Sequence, residues 1–187
     1  MPEIEGTKRG FATDLQYFTI SEIRPHLFLT GYGTLTDEKI RDLGFTHAVD
    51  ATNKFKIHFV KNVQYFNVRV EDRSIDDIKR YFKDAANFIQ DAIDGGGKVL
   101  IFCRQGISRS VTILLMYLVI KERISLWEAF IQVDKIRPFI SPNLGFWKQM
   151  IEYEIKIRGE ASVKILSEEK VPIPNVYLYK NSIENNV

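Results

Sequence analysis

The run from Lys98 to Ser110 constrains this chain more than any other part of it. Lys98-Val99-Leu100-Ile101-Phe102 is a compact apolar stretch of the kind that sits mid-sheet with both faces covered. The short loop Cys103-Arg104-Gln105-Gly106-Ile107-Ser108 follows it, and an apolar helix is predicted from about Arg109 to Lys121. A buried strand that passes through a tight loop into a buried helix needs other strands beside it and other helices on its faces.

The remaining pattern supplies them. His26–Thr30 is an extended run closed by Gly31-Tyr32-Gly33. Thr36-Asp37-Glu38 starts a helix that Gly44 stops, and Thr46–Ala51 is a short strand. Val63–Val70 alternates in β-branched and aromatic residues and is predicted as a strand. Ile78, Phe82, Ala85, Ala86, Ile89 and Ile93 fall at helical spacing, so Asp76–Ile93 is predicted as a helix ended by Gly95-Gly96-Gly97. Ser125 and Glu128 make a capping box for a helix to about Ile136, and Ser141-Pro142 opens another to about Arg158. Strands that alternate with helices imply an α/β fold, a central mostly parallel twisted sheet flanked by helices. Residues 1–18 lack periodicity and are expected as an arm, residues 19–159 as the domain, and residues 160–187 as an extension with a short extended piece at 162–166.

Bulk properties narrow the function. The net charge of +2 argues against a dedicated nucleic-acid binder. Val111–Ile120, the longest apolar stretch, is half of the ~20 residues that cross a bilayer, so no membrane partner is expected. The start MPEIEGTKRG is too polar for a secretory signal. Cys103 is the single cysteine, which precludes an internal disulfide and suits a reducing compartment, the cytoplasm with the nucleus also open. His26, His47 and His58 are scattered and give no metal-ligand spacing; no metal or cofactor is expected.

The loop itself carries chemistry. Between a strand end and a helix start, its backbone N–H groups can curl around one point and, with the helix N-terminus, form an anion site. Gly106 permits the turn. Arg109 can hold two phosphate oxygens with its planar fork. The same positive surroundings favour thiolate over thiol, which makes Cys103 a nucleophile. A buried structural cysteine is the competing reading, but it leaves the Gly, Arg and Ser in this order unexplained. A proton donor for the leaving group should lie at the same sheet edge. Glu71, Asp72, Asp76 and Asp77 all follow the Val63–Val70 strand, and spacing alone does not separate a catalytic acid from a solvated helix start.

Cys103-x5-Arg109-Ser110 resembles the signature of the protein tyrosine phosphatase superfamily, and Gly106-Ile107-Ser108-Arg109-Ser110 has the form common in dual-specificity phosphatases. Leu43-Gly44-Phe45-Thr46-His47 is similar to that family's "LGITH" segment, and Arg137–Phe146 to its "RPxIxPNxGF" segment. His26–Leu29 resembles the family's first strand. Phe146–Gln149, Val163–Ile165 and Ile173–Tyr177 resemble the ends of certain small atypical members, so the likeness covers roughly residues 19–179.

The resemblance implies a protein phosphatase acting on phosphotyrosine and phosphoserine/phosphothreonine, with phosphorylated proteins as partners. It sets no oligomeric state. It makes Cys103 the nucleophile, Arg109 the phosphate clamp, Asp72 the general acid, and Ser110 the group that stabilises the departing thiolate. Arg104, Gln105, Gly106, Ile107 and Ser108 would line the pocket, mainly through backbone N–H groups, and Asn143 would support the loop by hydrogen bonds. Arg73 and Arg137 are expected to be solvated at the surface. Trp127 and Trp147 are expected to pack in the core or between helices.

The chain departs from the family at Phe102, where a His usually orders the loop and supports the thiolate. Phe can only pack. A pseudophosphatase that binds phosphoproteins with little turnover is therefore the alternative. An enzyme on RNA 5′-triphosphates or phosphoinositides is a third, disfavoured because only Arg104 adds charge to the loop. No Lys-Asn-Arg-Tyr run marks a deepening loop, so a shallow site open to phosphotyrosine and phosphothreonine is expected. No upstream kinase-docking module is expected either.

Overall fold

The computed structural model describes residues 19–54, 60–167 and 171–179. Its centre is a five-stranded sheet of β1 (Ser21–Arg24), β2 (Leu27–Gly31), β3 (His47–Asp50), β4 (Gln64–Asn67) and β5 (Val99–Cys103). The spatial order is β1-β2-β5-β3-β4, and every pairing is parallel except β1 with β2. The expected mixed α/β class with a mostly parallel sheet is thus the one observed. β5 lies in the middle with all five residues buried, as its unbroken apolar run requires.

Side-chain alternation along β5 divides the interior. Val99, Ile101 and Cys103 join the large core under the helices α2 (Phe82–Asp94), α3 (Arg109–Tyr117), α4 (Leu126–Ile136) and α5 (Leu144–Arg158). Leu100 and Phe102 join a smaller core on the other face with Leu35, Phe45, Ala48, Val60 and Ile40, the last from α1 (Asp37–Asp42). Cys103 therefore emerges on the face where α3 begins.

Several boundaries differ from the sequence expectation. β1 was not expected; it is a short edge strand that pairs back on β2 through His26, which has φ 69°. β4 stops at Asn67 rather than Val70, because Val68 and Val70 turn inward and are buried as the chain heads for the site. The helix expected from Asp76 begins as a 3-10 turn at Lys79–Tyr81 and becomes α-helical only at Phe82. Asp76 is part of the preceding loop, where its carboxylate accepts from Glu71 N and Arg73 Nε. α3 passes into a π-helical turn, Leu118–Glu122, closed by Arg123 at φ 62°. The capping box of Ser125 and Glu128 is present. α5 is capped by Asn143, whose side chain accepts from Phe146 N, and not by Ser141-Pro142.

Beyond α5, β6 (Ile165–Leu166) and β7 (Ile173–Pro174) form a small antiparallel ladder. Val163 and Val176 are fully buried against the large core. Trp147 is buried too and donates Nε1–H to the Tyr177 hydroxyl at 3.1 Å, while Trp127 is partly buried. The arm at residues 1–18 lies outside the described residues.

Candidate active site

β5 carries Cys103 to the carboxyl edge of the sheet, where ligands of open α/β sheets bind. The loop that follows folds back on the thiol. Gly106 N–H donates to Cys103 Sγ at 3.2 Å and the Ser110 hydroxyl donates to it at 3.1 Å. Both donors stabilise negative charge on sulfur. Gly106 has φ 69°, and a Cβ there would lie 2.6 Å from the Thr30 carbonyl carbon. A residue with a side chain would fit neither the dihedral nor the space. Gly31 meets the loop from the other side, where a Cβ would come within 2.9 Å of the Gln105 carbonyl.

Ser108 is the N-cap of α3, yet its side chain caps nothing. Its hydroxyl donates to Asp72 Oδ1 at 2.7 Å instead, and the first turn of α3 has no side-chain cap. Such a turn presents its N–H groups to whatever occupies the loop.

Arg109 opens α3 and is only 5% exposed. Its Nη1 donates to the carbonyl of Thr52 at 3.0 Å and, at 3.4 Å, to that of Val70. Thr52 is itself held by Asp50 Oδ1, which accepts from both its N–H and its hydroxyl. Arg109 Nε is buried and has no hydrogen-bond partner; Asp72 Oδ2 stands 3.6 Å away as an ion-pair neighbour. A buried, unpaired N–H costs roughly 1–3 kcal/mol. Such a group marks a place prepared for an acceptor.

Asp72 lies on the loop between β4 and α2. Its Oδ1 accepts from Ser108 and, at 2.9 Å, from Asn143 Nδ2. Asn143 N–H also donates to Ser108 Oγ at 3.2 Å, so one residue joins the acid loop, the Cys103 loop and the start of α5. The acid loop is seated against α5 elsewhere as well. Gln149 accepts from Lys79 N and donates to Asp76 O, and a Cβ on Gly145 would overlap the Ser74 carbonyl.

All four predicted catalytic positions therefore converge. Cys103, Arg109 and Asp72 border a cleft of about 660 Å³ with Tyr32, Thr52, Lys54, Glu71 and Arg73, and Ser110 is buried beneath it against the Cys103 sulfur. Arg104, Gln105, Ile107 and Ser108 line it, while Gly106 is buried beneath and reaches Cys103 through its N–H. Phe102 does not face the cleft; it is fully buried in the small core. Arg73 is exposed and paired with Asp76.

Arg137 corrects the expectation of a solvated side chain. It is 1% exposed and lies behind the loop, donating from Nε to Gly106 O at 2.9 Å and from Nη2 to Gln105 O at 3.2 Å. Burial pushes its guanidinium down to about 10 and the Cys103 sulfur pulls it upward, so it is charged at neutral pH. Pro138 disfavours helix at the preceding residue and so ends α4 before Arg137, but nothing in the sequence marks that side chain for burial. Among the described residues no cluster of His, Cys, Asp and Glu could hold a metal ion, and no helix is long and apolar enough to cross a membrane.

Comparison with known proteins gives the class. The family model for the dual specificity phosphatase catalytic domain matches residues 27–156, and the chain belongs to that family. It is 36% identical to human dual specificity protein phosphatase 1 and 37% to human dual specificity protein phosphatase 4, over 137 residues in each case. These matches cover 73% of this chain but only 37% and 35% of those proteins, so it spans little more than a third of their length. Solved structures are matched over almost their whole length. Human DUSP28 is 27% identical with a TM-score of 0.70, covering 74% of this chain and 95% of that one. A mouse putative dual specificity phosphatase complexed with zinc tungstate is 26% identical with a TM-score of 0.71, covering 83% and 96%. With the family match, these neighbours liken the chain to the small atypical dual-specificity phosphatases.

Proposed function

We propose that this chain is a protein phosphatase that hydrolyses phosphotyrosine and phosphoserine/phosphothreonine through a phosphocysteine intermediate. The observation that carries the reading is the buried, unpaired Nε of Arg109 beside a sulfur that already collects two donors. A phosphoryl group in the cleft supplies the missing acceptor.

In the first step Cys103 Sγ attacks phosphorus and the P–O bond to the substrate breaks. Arg109 and the loop N–H groups hold the remaining oxygens as their charge redistributes. Asp72 gives the leaving oxygen its proton. Oδ1 is committed to Ser108 and Asn143, so Oδ2 is the oxygen that carries that proton. In the second step Asp72 takes a proton from water, the water oxygen attacks phosphorus, and the S–P bond breaks to release phosphate. Ser110, bonded to Sγ, stabilises the thiolate that is set free.

Aryl phosphate and matched phosphotyrosine and phosphothreonine peptides test this. The expected outcome is phosphate release from all three, abolished by Cys103→Ser. Release from the tyrosine peptide alone would contradict the dual specificity.

Phe102 supports a second reading. A phenyl ring donates no hydrogen bond, and here it is sealed in the small core, so the loop lacks the support a His gives in the family. A protein that captures phosphoproteins with little turnover would bind phosphopeptides tightly and release no phosphate. Retention of Cys103, Asp72, Arg109 and Ser110 in bonded positions favours the enzyme.

A further inference from the structure

We infer that Arg137 is a positioning residue for the phosphate loop, holding its carbonyls outward from behind and setting a cation across the Gln105–Gly106 peptide from the Cys103 sulfur. The inference rests on the phosphatase reading for its purpose and on the geometry for its content.

A loop of peptide groups binds an anion only if its N–H groups point inward, which requires its carbonyls to point outward into protein. Outward carbonyls buried without donors are unfavourable. At Gln105 and Gly106 the donors come from one guanidinium: Nη2 and Nε of Arg137. The remaining nitrogen, Nη1, donates to Thr19 O and to Ser21 Oγ, both at 3.1 Å. The fork thus clamps the loop to the chain entering β1. Its position follows from the local sequence. Pro138 ends α4, Arg137 takes φ −137° and ψ 82°, and the residue leaves the helix axis beneath the loop. The ring of Phe139 lies 4.4 Å from the guanidinium carbon and helps fix its plane.

Thr30 and Gly31 close the same wall by backbone contact, with no room for a Cβ at either Gly31 or Gly106. The loop is therefore shaped from behind by Arg137 and the end of β2. The Phe102 side chain is buried in the small core on the opposite face of the sheet. The charged side chains that share the cleft with Cys103 are Arg109, Asp72, Arg104, Lys54, Glu71 and Arg73, while Arg137 lies behind the loop.

Arg137→Lys and Arg137→Met separate the two parts of the role. Lys keeps the cation but cannot hold two carbonyls at once; Met removes both. Two readouts need no turnover: calorimetric affinity for inorganic phosphate, and the rate of Cys103 alkylation by iodoacetamide at neutral pH. Arg137→Lys should weaken phosphate binding about tenfold or more, with alkylation close to wild type. Arg137→Met should lose both. Thermal melting identifies a variant that does not fold, and Arg137→Lys decides the matter if Arg137→Met is such a case. Wild-type phosphate affinity in folded Arg137→Lys would overturn the inference. Because neither readout requires hydrolysis, a wild-type protein that releases no phosphate from substrates would sink the proposed activity and leave this test intact.

Discussion

The carboxylate of Asp72 is committed at one oxygen and open at the other. Oδ1 takes hydrogen bonds from Ser108 and Asn143, while Oδ2 faces the cleft 3.6 Å from Arg109 Nε. Asp72→Asn removes the transferable proton and keeps the shape, so turnover should fall by about 10²–10⁴-fold. Phosphate affinity, measured by product inhibition, should change little. Asn143→Ala should lower turnover by a smaller factor, because Ser108 still orients the same oxygen. Equal losses of turnover and phosphate affinity in Asp72→Asn would remove Asp72 from the proton-transfer role. Cys103, Arg109 and Ser110 were legible in the sequence because phosphoryl chemistry needs those residue types at fixed spacing on one loop. Asp72 was legible only with the family likeness, since four acidic residues share its segment. The burial of Arg137 is not legible in the sequence, because the side chain carries no mark of it. Only the placement of Thr19, Ser21, Gln105 and Gly106 around it gives that guanidinium enough acceptors to be buried.

The acid loop, residues 71–79, is held as a unit by its own side chains and by α5. At Gly145 the two meet without room for a side chain, since a Cβ there would overlap the Ser74 carbonyl. Gly145→Ala must therefore lift the loop from α5. A displacement of ~1 Å at a reacting group costs about 100-fold, so kcat should fall by that order while phosphate affinity holds. Wild-type kcat in this variant would show that the loop seat is unimportant. Asp76 clamps the loop from within. Its carboxyl is pulled below the usual value of 3.8, first by the hydrogen bond from Arg73 and then by that from Glu71 N–H. A group whose folded pKa is depressed contributes stability above its unfolded pKa and loses it as pH falls through the folded one. Thermal melts should therefore show a contribution from Asp76 that is complete at neutral pH and disappears below 3.8, and Asp76→Asn should lack that part of the acid transition. The strand that delivers this loop was expected to reach Val70, because alternation persists in the sequence to that point. It ends at Asn67 because Arg69 turns to the Lys54 carbonyl and Asn67 side chain while Val70 yields its own carbonyl to Arg109.

At the scale of the molecule, one sheet separates two cores and puts the chemistry on the edge of the larger. The residues after α5 help complete that larger core. Val163 and Val176 are fully buried, and Tyr177 sits edge-on to Phe130 at 5.3 Å while accepting from Trp147. Changing both Val163 and Val176 to Ala should remove ~3 kcal/mol or more of stability, a fall in melting temperature of ~6–12 °C. An unchanged melt would mean that this segment contributes nothing to the domain. The architecture was legible because β5 is uniformly apolar and its neighbours alternate with amphipathic helices. β1 was not, because four residues at a sheet edge carry too short a pattern and are fixed by pairing with β2.

The most direct measurement is a crystal structure of the protein soaked with tungstate. The account predicts the oxyanion centred over Cys103 Sγ within the ring of loop N–H groups, with Arg109 Nε donating to it. An empty loop, or an oxyanion that leaves Arg109 Nε without an acceptor, would contradict it.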